Sequence, residues 1–395
     1  MNIKAQTDLA ELLRRCHAIV WDEGAMGNKF HLEALHKTLC DFMGVDPTAV
    51  WFGGKTVIVS GDFRQTLPIT RYASRAQTIE VALTRSWLWP KFHKFRLTEN
   101  MRIEKARQAL LNCNASTDDH TLLEQLETFA AWLLSLGDGT DTTTDALSQI
   151  RVPSSLCLPT GCEMQGLIDW VYPNLATNCT DVSWLSGRAV LAPYNEEVDR
   201  INKTVSESFP GEEWALPSAD ACTDPDDTNQ WPVEYLNTIR HSGMPEHDLR
   251  LKPNMVVMLL RNLAPTKGLC NGTRLIVKEV INKRILVAVI ATGSHAGEVV
   301  KINRIKLSPD EGIFPFEWSR LQFPVRVSFA MSINKAQGQT LTRVGIFLEK
   351  PCFSHGQLYV AASRVGLPTH IAFAIAPNEL GEHWTSNIVY TEALT

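Results

Sequence analysis

What this chain of 395 residues has little of already narrows its function. No apolar run approaches the roughly 20 residues needed to cross a bilayer; the longest are Met255 to Leu260 and Ile285 to Ala291. The opening Met1-Asn2-Ile3-Lys4-Ala5-Gln6 has no apolar core and does not read as a secretory signal. Nine cysteines are scattered without a Cys-x-x-Cys pair, and Cys157 with Cys162 has no matching second pair. That spacing speaks against a zinc ribbon and for plain thiols in a reducing compartment. There are no internal repeats and no low-complexity tract. A large excess of one charge is also lacking: the net charge of −5 excludes a protein that coats nucleic acid over its whole surface.

What is there is a soluble folded composition, 44% hydrophobic and 21% charged, long enough for two domains and a small third. Charge is unevenly spread. From Arg250 to Lys306 eleven Lys or Arg stand against two acids, Glu279 and Glu298. From Ser206 to Asp248 ten acids stand against Arg240 alone. A local basic module on an acidic chain fits a protein that grips a backbone at one place; a solvated face on a β module fits equally well.

Strand-like runs are expected at His17 to Trp21, Thr56 to Ser60, Lys94 to Leu97, Arg188 to Leu191, Val325 to Ser328 and Val344 to Leu348. Helical patterns lie between many of them, at Lys29 to Phe42, Glu196 to Glu207 and Gly356 to Arg364. Strands alternating with helices predict parallel α/β sheets, whose ligands sit at the carboxyl ends of strands. The stretch from Ala115 to Thr180 reads as a helical connector, with Gly137-Asp138-Gly139-Thr140 as a loop inside it. Short β-rich runs from Leu251 to Leu307, broken at Asn271-Gly272 and Thr292-Gly293, suggest an inserted β-barrel.

Chemistry-bearing residues follow several of these strands. Asp22-Glu23 closes the run Ala18-Ile19-Val20-Trp21. A carboxylate pair at a strand end divides two jobs in nucleotide hydrolysis, one holding Mg²⁺ and the other polarising the attacking water. A helix N-cap followed by a first-turn acid is the plainer alternative. Gly61-Asp62-Phe63-Arg64-Gln65-Thr66-Leu67-Pro68 follows the second strand, and Gln65 is a neutral group suited to sensing a terminal phosphate or orienting a water. A simple strand-to-turn junction would need none of Asp62, Gln65 or Pro68. Further blocks are Phe95-Arg96-Leu97-Thr98-Glu99-Asn100-Met101-Arg102, Ser328 to Leu341, and Gln357-Leu358-Tyr359-Val360-Ala361-Ala362-Ser363-Arg364.

In this order the blocks resemble the motifs of superfamily-one DNA helicases of the PIF type, closest in spelling to the Helitron-transposon branch. The resemblance covers nearly the whole chain and includes Val190-Leu191-Ala192-Pro193-Tyr194-Asn195 and Gly268 to Arg274. It implies two RecA-like P-loop NTPase-type α/β domains with a small SH3-like β insertion. The first domain would be incomplete, at 1–113. A connector would follow at 114–180 and the second domain at 181–395, with the insertion at about 251–307.

It also implies ATP and Mg²⁺ as cofactors, single-stranded DNA and duplex junctions as partners, no membrane, and a monomer. Asp22 would hold Mg²⁺, Glu23 would be the catalytic carboxylate and Gln65 the γ-phosphate sensor. Gly61, Asp62 and Gly338 would line the nucleotide. Arg102 and Arg364 would reach ATP across the domain cleft, a role worth roughly 10³–10⁵ in rate. Ser332, Lys335 and Thr340 would contact DNA. Taken singly, Arg102, Arg364 and Lys335 read as helix-end or surface cations; the ordered set favours the motor. Gly24 stands where the family has Ala, which should only loosen the strand end, and Asn334 where it often has His.

The activity expected is 5′-to-3′ ATP-driven unwinding, in DNA repair, recombination, telomere maintenance or transposon replication, in the nucleus, with the mitochondrion as alternative. By the resemblance a G-x-x-x-x-G-K-[ST] phosphate loop would precede Asp22, yet only 21 residues do, against about 30 or more for such a unit. Gly54-Lys55-Thr56 is not that loop, because the first glycine would fall at Ala49 and a strand follows Thr56. The expectation is a chain truncated ahead of the loop, with hydrolysis absent or impaired. The alternatives are a non-hydrolysing DNA-binding remnant and a scaffold that binds only proteins.

Overall fold

The computed structural model describes residues 3–4, 6–70, 73–112, 117–140, 148–159, 163–224, 229–241, 243–310 and 312–394. Side chains at 102, 106, 109–112 and 117–120 lie outside that description. No described helix is long and apolar enough to cross a membrane.

The first domain is built on two parallel strands, Ala18–Trp21 and Thr56–Val59, in register from Ala18↔Thr56 to Trp21↔Val59. The helix Lys29–Met43 connects them, capped by the Asn28 side chain at its start and by left-handed Gly44 at its end. Leu32, Leu35 and Leu39 recur at helical spacing and pack on Phe52, Leu83 and Leu88. Lys55, of the rejected Gly-Lys-Thr, donates 2.9 Å to Arg14 O and 2.8 Å to Cys16 O, and a strand does follow it. The sheet's other face is bare, with Val20 69% and Ile58 50% exposed.

Two expectations fail here. Lys94 to Leu97 is not a strand: Phe95 is 91% and Leu97 101% exposed, and no described neighbour offers it a ladder. Gly24 does not loosen the strand end. It is buried, its N–H donates 2.7 Å to Ser60 O, and a Cβ there would lie 2.5 Å from Val59 Cγ1.

The second domain has a four-stranded all-parallel sheet in the order Ala330–Ser332, Arg188–Ala192, Arg343–Phe347, Ile371–Ala374. One face packs on helices Thr117–Asp138 and Gln357–Ala362, the other on Met164–Val171 and Asn195–Ser208. The span 114–180 is therefore no free connector. Phe129 and Leu136 join one core and Leu167, Ile168 and Val171 the other, because the sheet needs cover on both faces. Gly137 and Asp138 belong to the helix, and only Gly139 and Thr140 turn.

The β-rich insertion is larger than 251–307. Its five-stranded antiparallel sheet runs Val299–Asn303, Ile285–Ile290, Arg274–Ile281, Val256–Leu259, Val325–Val327. Trp214–Pro217 pairs with Asp248–Leu251 ahead of it, and Ala219–Cys222 with Trp318–Gln322. The first of these pairs was hidden because its alternation is carried by few apolar residues, Leu216, Leu249 and Leu251, in and beside an acid-rich segment. The expected strand Val325 to Ser328 falls in the insertion, and a separate strand follows it. Val325–Val327 joins the insertion, and Ala330–Ser332 joins the parallel sheet.

Candidate active site

The two parallel sheets meet across the loops that follow their strands. Ser60 N–H donates 2.9 Å to Trp21 O, which brings Ser60 beside Asp22. Asp22 Oδ1 accepts 2.5 Å from Ser60 Oγ and 3.0 Å from Glu23 N–H. The Ser60 hydroxyl first, and the Glu23 amide second, hold this carboxyl below its usual range, so it is ionised while exposed. Glu23 then takes a left-handed conformation, φ 52, rare for a residue with a side chain. That turn swings its carboxylate off the strand direction toward the second domain. Glu23 Oε1 lies 3.9 Å from the point where a Gly338 side chain would begin, and Oε2 is buried without a hydrogen bond.

Some of the buried side-chain atoms that lack a partner lie on residues at or next to this junction. Besides Glu23 Oε2 they include Gln65 Oε1 from the first domain, and Gln337 Nε2 and Gln339 Oε1 from the second. Such an atom costs about 1–3 kcal/mol unless a polar partner reaches it, so these residues keep capacity for polar groups. Gly356 makes the approach close. At φ +71 it presses on the Arg64–Gln65 backbone, where a Cβ would sit 2.3 Å from Arg64 O.

Other pairs dock the two halves. Thr66 Oγ1 donates to Gln337 Oε1. The Tyr359 hydroxyl donates 2.7 Å to Asp62 Oδ2; burial, then the neighbouring Asp62 charge, raises its pKa well above the phenol range. Fully buried His355 meets Phe63 O at 2.8 Å through Nε2 and accepts 2.8 Å from Tyr390 N–H at Nδ1, an arrangement only the neutral ring satisfies. Burial lowers its pKa, partly opposed by the Phe63 carbonyl. Arg64 pairs with Asp138 at 2.7 Å, and Arg75 with Glu392.

The expected site residues divide. Asp22, Glu23, Gln65 and Gly338 converge on the junction. Gly61 serves close packing, since its Cβ would lie 2.9 Å from Ala25 N, and Asp62 is engaged by Tyr359 and by Arg64 N–H at 3.0 Å. Arg364 is anchored beside the 336–339 loop. Its buried guanidinium donates to Val360 O at 2.8 Å, Gln339 O at 3.1 Å and Ala336 O at 3.4 Å, bracing that loop from within its own domain. Arg102 lies in the helix Met101–Asn112, and its side chain is outside the described residues.

Ser332 is half-buried at a strand end, and Lys335 and Thr340 are exposed beyond it. Although Lys335 is open to solvent, the protein around it lowers its pKa, and Arg326 and Arg261 add to the shift. Asn334 Oδ1 accepts 2.9 Å from Gln357 Nε2. Sequence reasoning missed Thr66, Gln337, His355 and Tyr359, whose partners lie hundreds of positions away, beyond any spacing rule.

Comparison with known proteins agrees with this geometry. Residues 1–146 match the family described as PIF1-like helicase, and residues 234–280 match the DNA helicase Pif1 2B domain. Over these two segments the chain is similar to PIF1-like helicases. It is 32% identical over 176 residues to the ATP-dependent DNA helicase PIF1 of Xenopus laevis, covering 44% of this chain and 25% of that one. With the protein of the same name from Danio rerio it shares 28% over 313 residues, 79% of this chain and 39% of the relative. The chain thus spans between a quarter and two fifths of the length of these two relatives.

Among solved structures, a Bacteroides Pif1 helicase in complex with ADP-AlF3 and ssDNA superposes with TM-score 0.60 at 19% identity, over 96% of this chain and 77% of that one. A Pif1 structure describing unwinding at forked dsDNA also gives 0.60 at 19%, over 96% and 76%. These likenesses establish the fold, two RecA-like domains, and the family 2B match falls inside the β-rich insertion.

Proposed function

We propose that this chain works as the ATP-hydrolysing core of a DNA helicase, in which turnover at the domain junction drives movement along a single strand. The observation that carries this reading is the set of unpartnered buried atoms on Glu23, Gln65, Gln337 and Gln339, drawn from both domains beside an ionised Asp22. Those residues fit the terminal phosphate of ATP and a Mg²⁺ ion. Asp22, steadied by Ser60, would be an oxygen ligand of the metal, directly or through water. Bound Mg²⁺ would neutralise charge on the phosphates. Glu23 Oε2 is free to accept a water proton, Gln65 to orient that water, and Gln337 Nε2 to donate to a phosphate oxygen.

Contact with DNA would fall to Ser332, Lys335 and Thr340, with the basic insertion beside them, and movement would run 5′-to-3′ as the resemblance implies. The Helitron-like spelling supports transposon replication, or repair and recombination, as the setting. DNA as partner favours the nucleus.

The test is ATP hydrolysis stimulated by single-stranded DNA, with Glu23→Gln beside the unaltered protein. Turnover abolished in Glu23→Gln with ATP binding retained is the expected result; equal turnover in both proteins would sink the assignment. A second reading is a non-hydrolysing DNA-binding protein, supported by the hydrogen bonds that Arg364 gives to Val360 O and Gln339 O in its own domain. It predicts no Glu23-dependent turnover, with DNA affinity that falls steeply as salt rises.

A further inference from the structure

The carboxyl ends of Arg188–Ala192 and Arg343–Phe347, neighbouring strands of the second domain, carry an aromatic pair with no part in the junction chemistry. Tyr194 and Phe353 lie with ring centroids 4.8 Å apart and planes tilted by 39°. Phe353 is 52% exposed and Tyr194 half-buried, so both rings keep area open to solvent. Phe353 N–H donates 3.0 Å to Gln357 Oε1, and Gln357 Nε2 donates 2.9 Å to Asn334 Oδ1. One side chain thus ties the aromatic pair to the loop that carries Ser332 and Lys335.

The cations around the rings are matched by acids, and Glu197 is buried beside Tyr194 and Lys350 as a further carboxyl. Lys350 Nζ lies 5.4 Å from the Tyr194 ring centroid and 3.7 Å from Glu196 Oε2, while Glu349 pairs with Arg200. A surface of π faces without an excess of positive charge recognises the face of a base rather than a phosphate. We infer that Tyr194 and Phe353 form a stacking platform for an unpaired nucleobase of the DNA strand whose backbone crosses the Ser332–Lys335 loop. The inference rests on the proposed DNA-translocating function. Adenine of ATP offers the same chemistry. The hydrogen-bond route through Gln357 to Asn334 favours DNA, because it leads to the loop and not to the Glu23–Gln65 cluster.

The experiment measures affinity by fluorescence anisotropy for oligo-dT and for the same strand carrying abasic sites. It compares the unaltered protein with Phe353→Leu and Tyr194→Leu, which keep apolar packing without an aromatic face, and with Phe353→Tyr. The unaltered protein should bind oligo-dT more tightly than the abasic strand. Either Leu variant should lose about 5- to 100-fold for oligo-dT, little for the abasic strand, and Phe353→Tyr should restore discrimination. The slope of log affinity against log salt should stay unchanged, because no phosphate contact is removed.

Equal losses on both strands, or unchanged oligo-dT affinity, would overturn the inference. Weakened ATP binding with intact oligo-dT binding would also overturn it, assigning the rings to adenine. If the unaltered protein binds neither strand, the DNA reading itself fails, a result separate from lost discrimination in the variants.

Discussion

At Glu23 the backbone enters the left-handed region, where a residue with a side chain carries about 1–3 kcal/mol of strain. The return on that strain is direction: the carboxylate leaves the line of its strand and reaches Gly338 of the other domain. Glu23→Gly should therefore stabilise the fold slightly while removing the candidate base, a split readable as a rise in the urea midpoint with loss of turnover. His355 shows the opposite economy, a titratable ring held neutral between Phe63 O and Tyr390 N–H, with Asp62, Arg75 and Glu392 around it.

Burial lowers its folded pKa below the unfolded value of about 6.5, so the unfolded chain binds the proton more readily. The contribution of neutral His355 is present above about pH 6.5 and is lost as pH falls through the folded value. Urea midpoints should drop between pH 8 and pH 5.5, and the drop should shrink in His355→Gln. His370, also lowered by burial, contributes in both proteins, so the difference between them isolates His355.

Within the β-rich insertion one ion pair replaces a larger core. Arg320 and Asp220, on the paired strands Trp318–Gln322 and Ala219–Cys222, have side chains 1% and 0% exposed. Arg320 also donates to the carbonyls of Leu236, Ile239 and Pro245, which anchors the acid-rich stretch before Asp248. Removing one partner of a buried pair leaves an uncompensated charge, so Asp220→Ala should cost about 3–5 kcal/mol. Equilibrium urea unfolding checks this, and a loss below about 1 kcal/mol would mean water reaches the pair. Arg274 acts between elements. Fully buried, it donates 2.8 Å to Ser186 O and 2.9 Å to Arg188 O, pinning the insertion's longest strand to the parallel sheet.

The two domains are held together by small, specific contacts: Thr66 with Gln337, Tyr359 with Asp62, His355 with Phe63, and Gly356 laid against Arg64 and Gln65. Gly356 is the place to test that docking. Ala there faces both φ +71 and a backbone oxygen 2.3 Å away, so Gly356→Ala should cost about 2–4 kcal/mol of docking. Small-angle scattering should show a larger radius of gyration while far-UV circular dichroism is unchanged; an unaltered radius would mean the junction adjusts locally.

Order and local chemistry were legible from the residues alone. Asp22-Glu23, Gln65 and the Ser332–Thr340 block announce themselves because strand ends, turns and polar clusters are set by near neighbours. The helices Lys29–Met43 and Asn195–Ser208 follow from apolar spacing for the same reason. What only the tertiary structure decided is who meets whom. Lys94 to Leu97 has strand-forming residues but no ladder, and the supposed connector became two layers of a domain because its apolar faces had a sheet to cover. Arg364 turned inward to buried carbonyls, and His355 and Tyr359 found partners 292 and 297 positions away. Pairing at such separations depends on how sheets pack and which polar groups are left to satisfy, and that is a property of the folded molecule rather than of any stretch of chain.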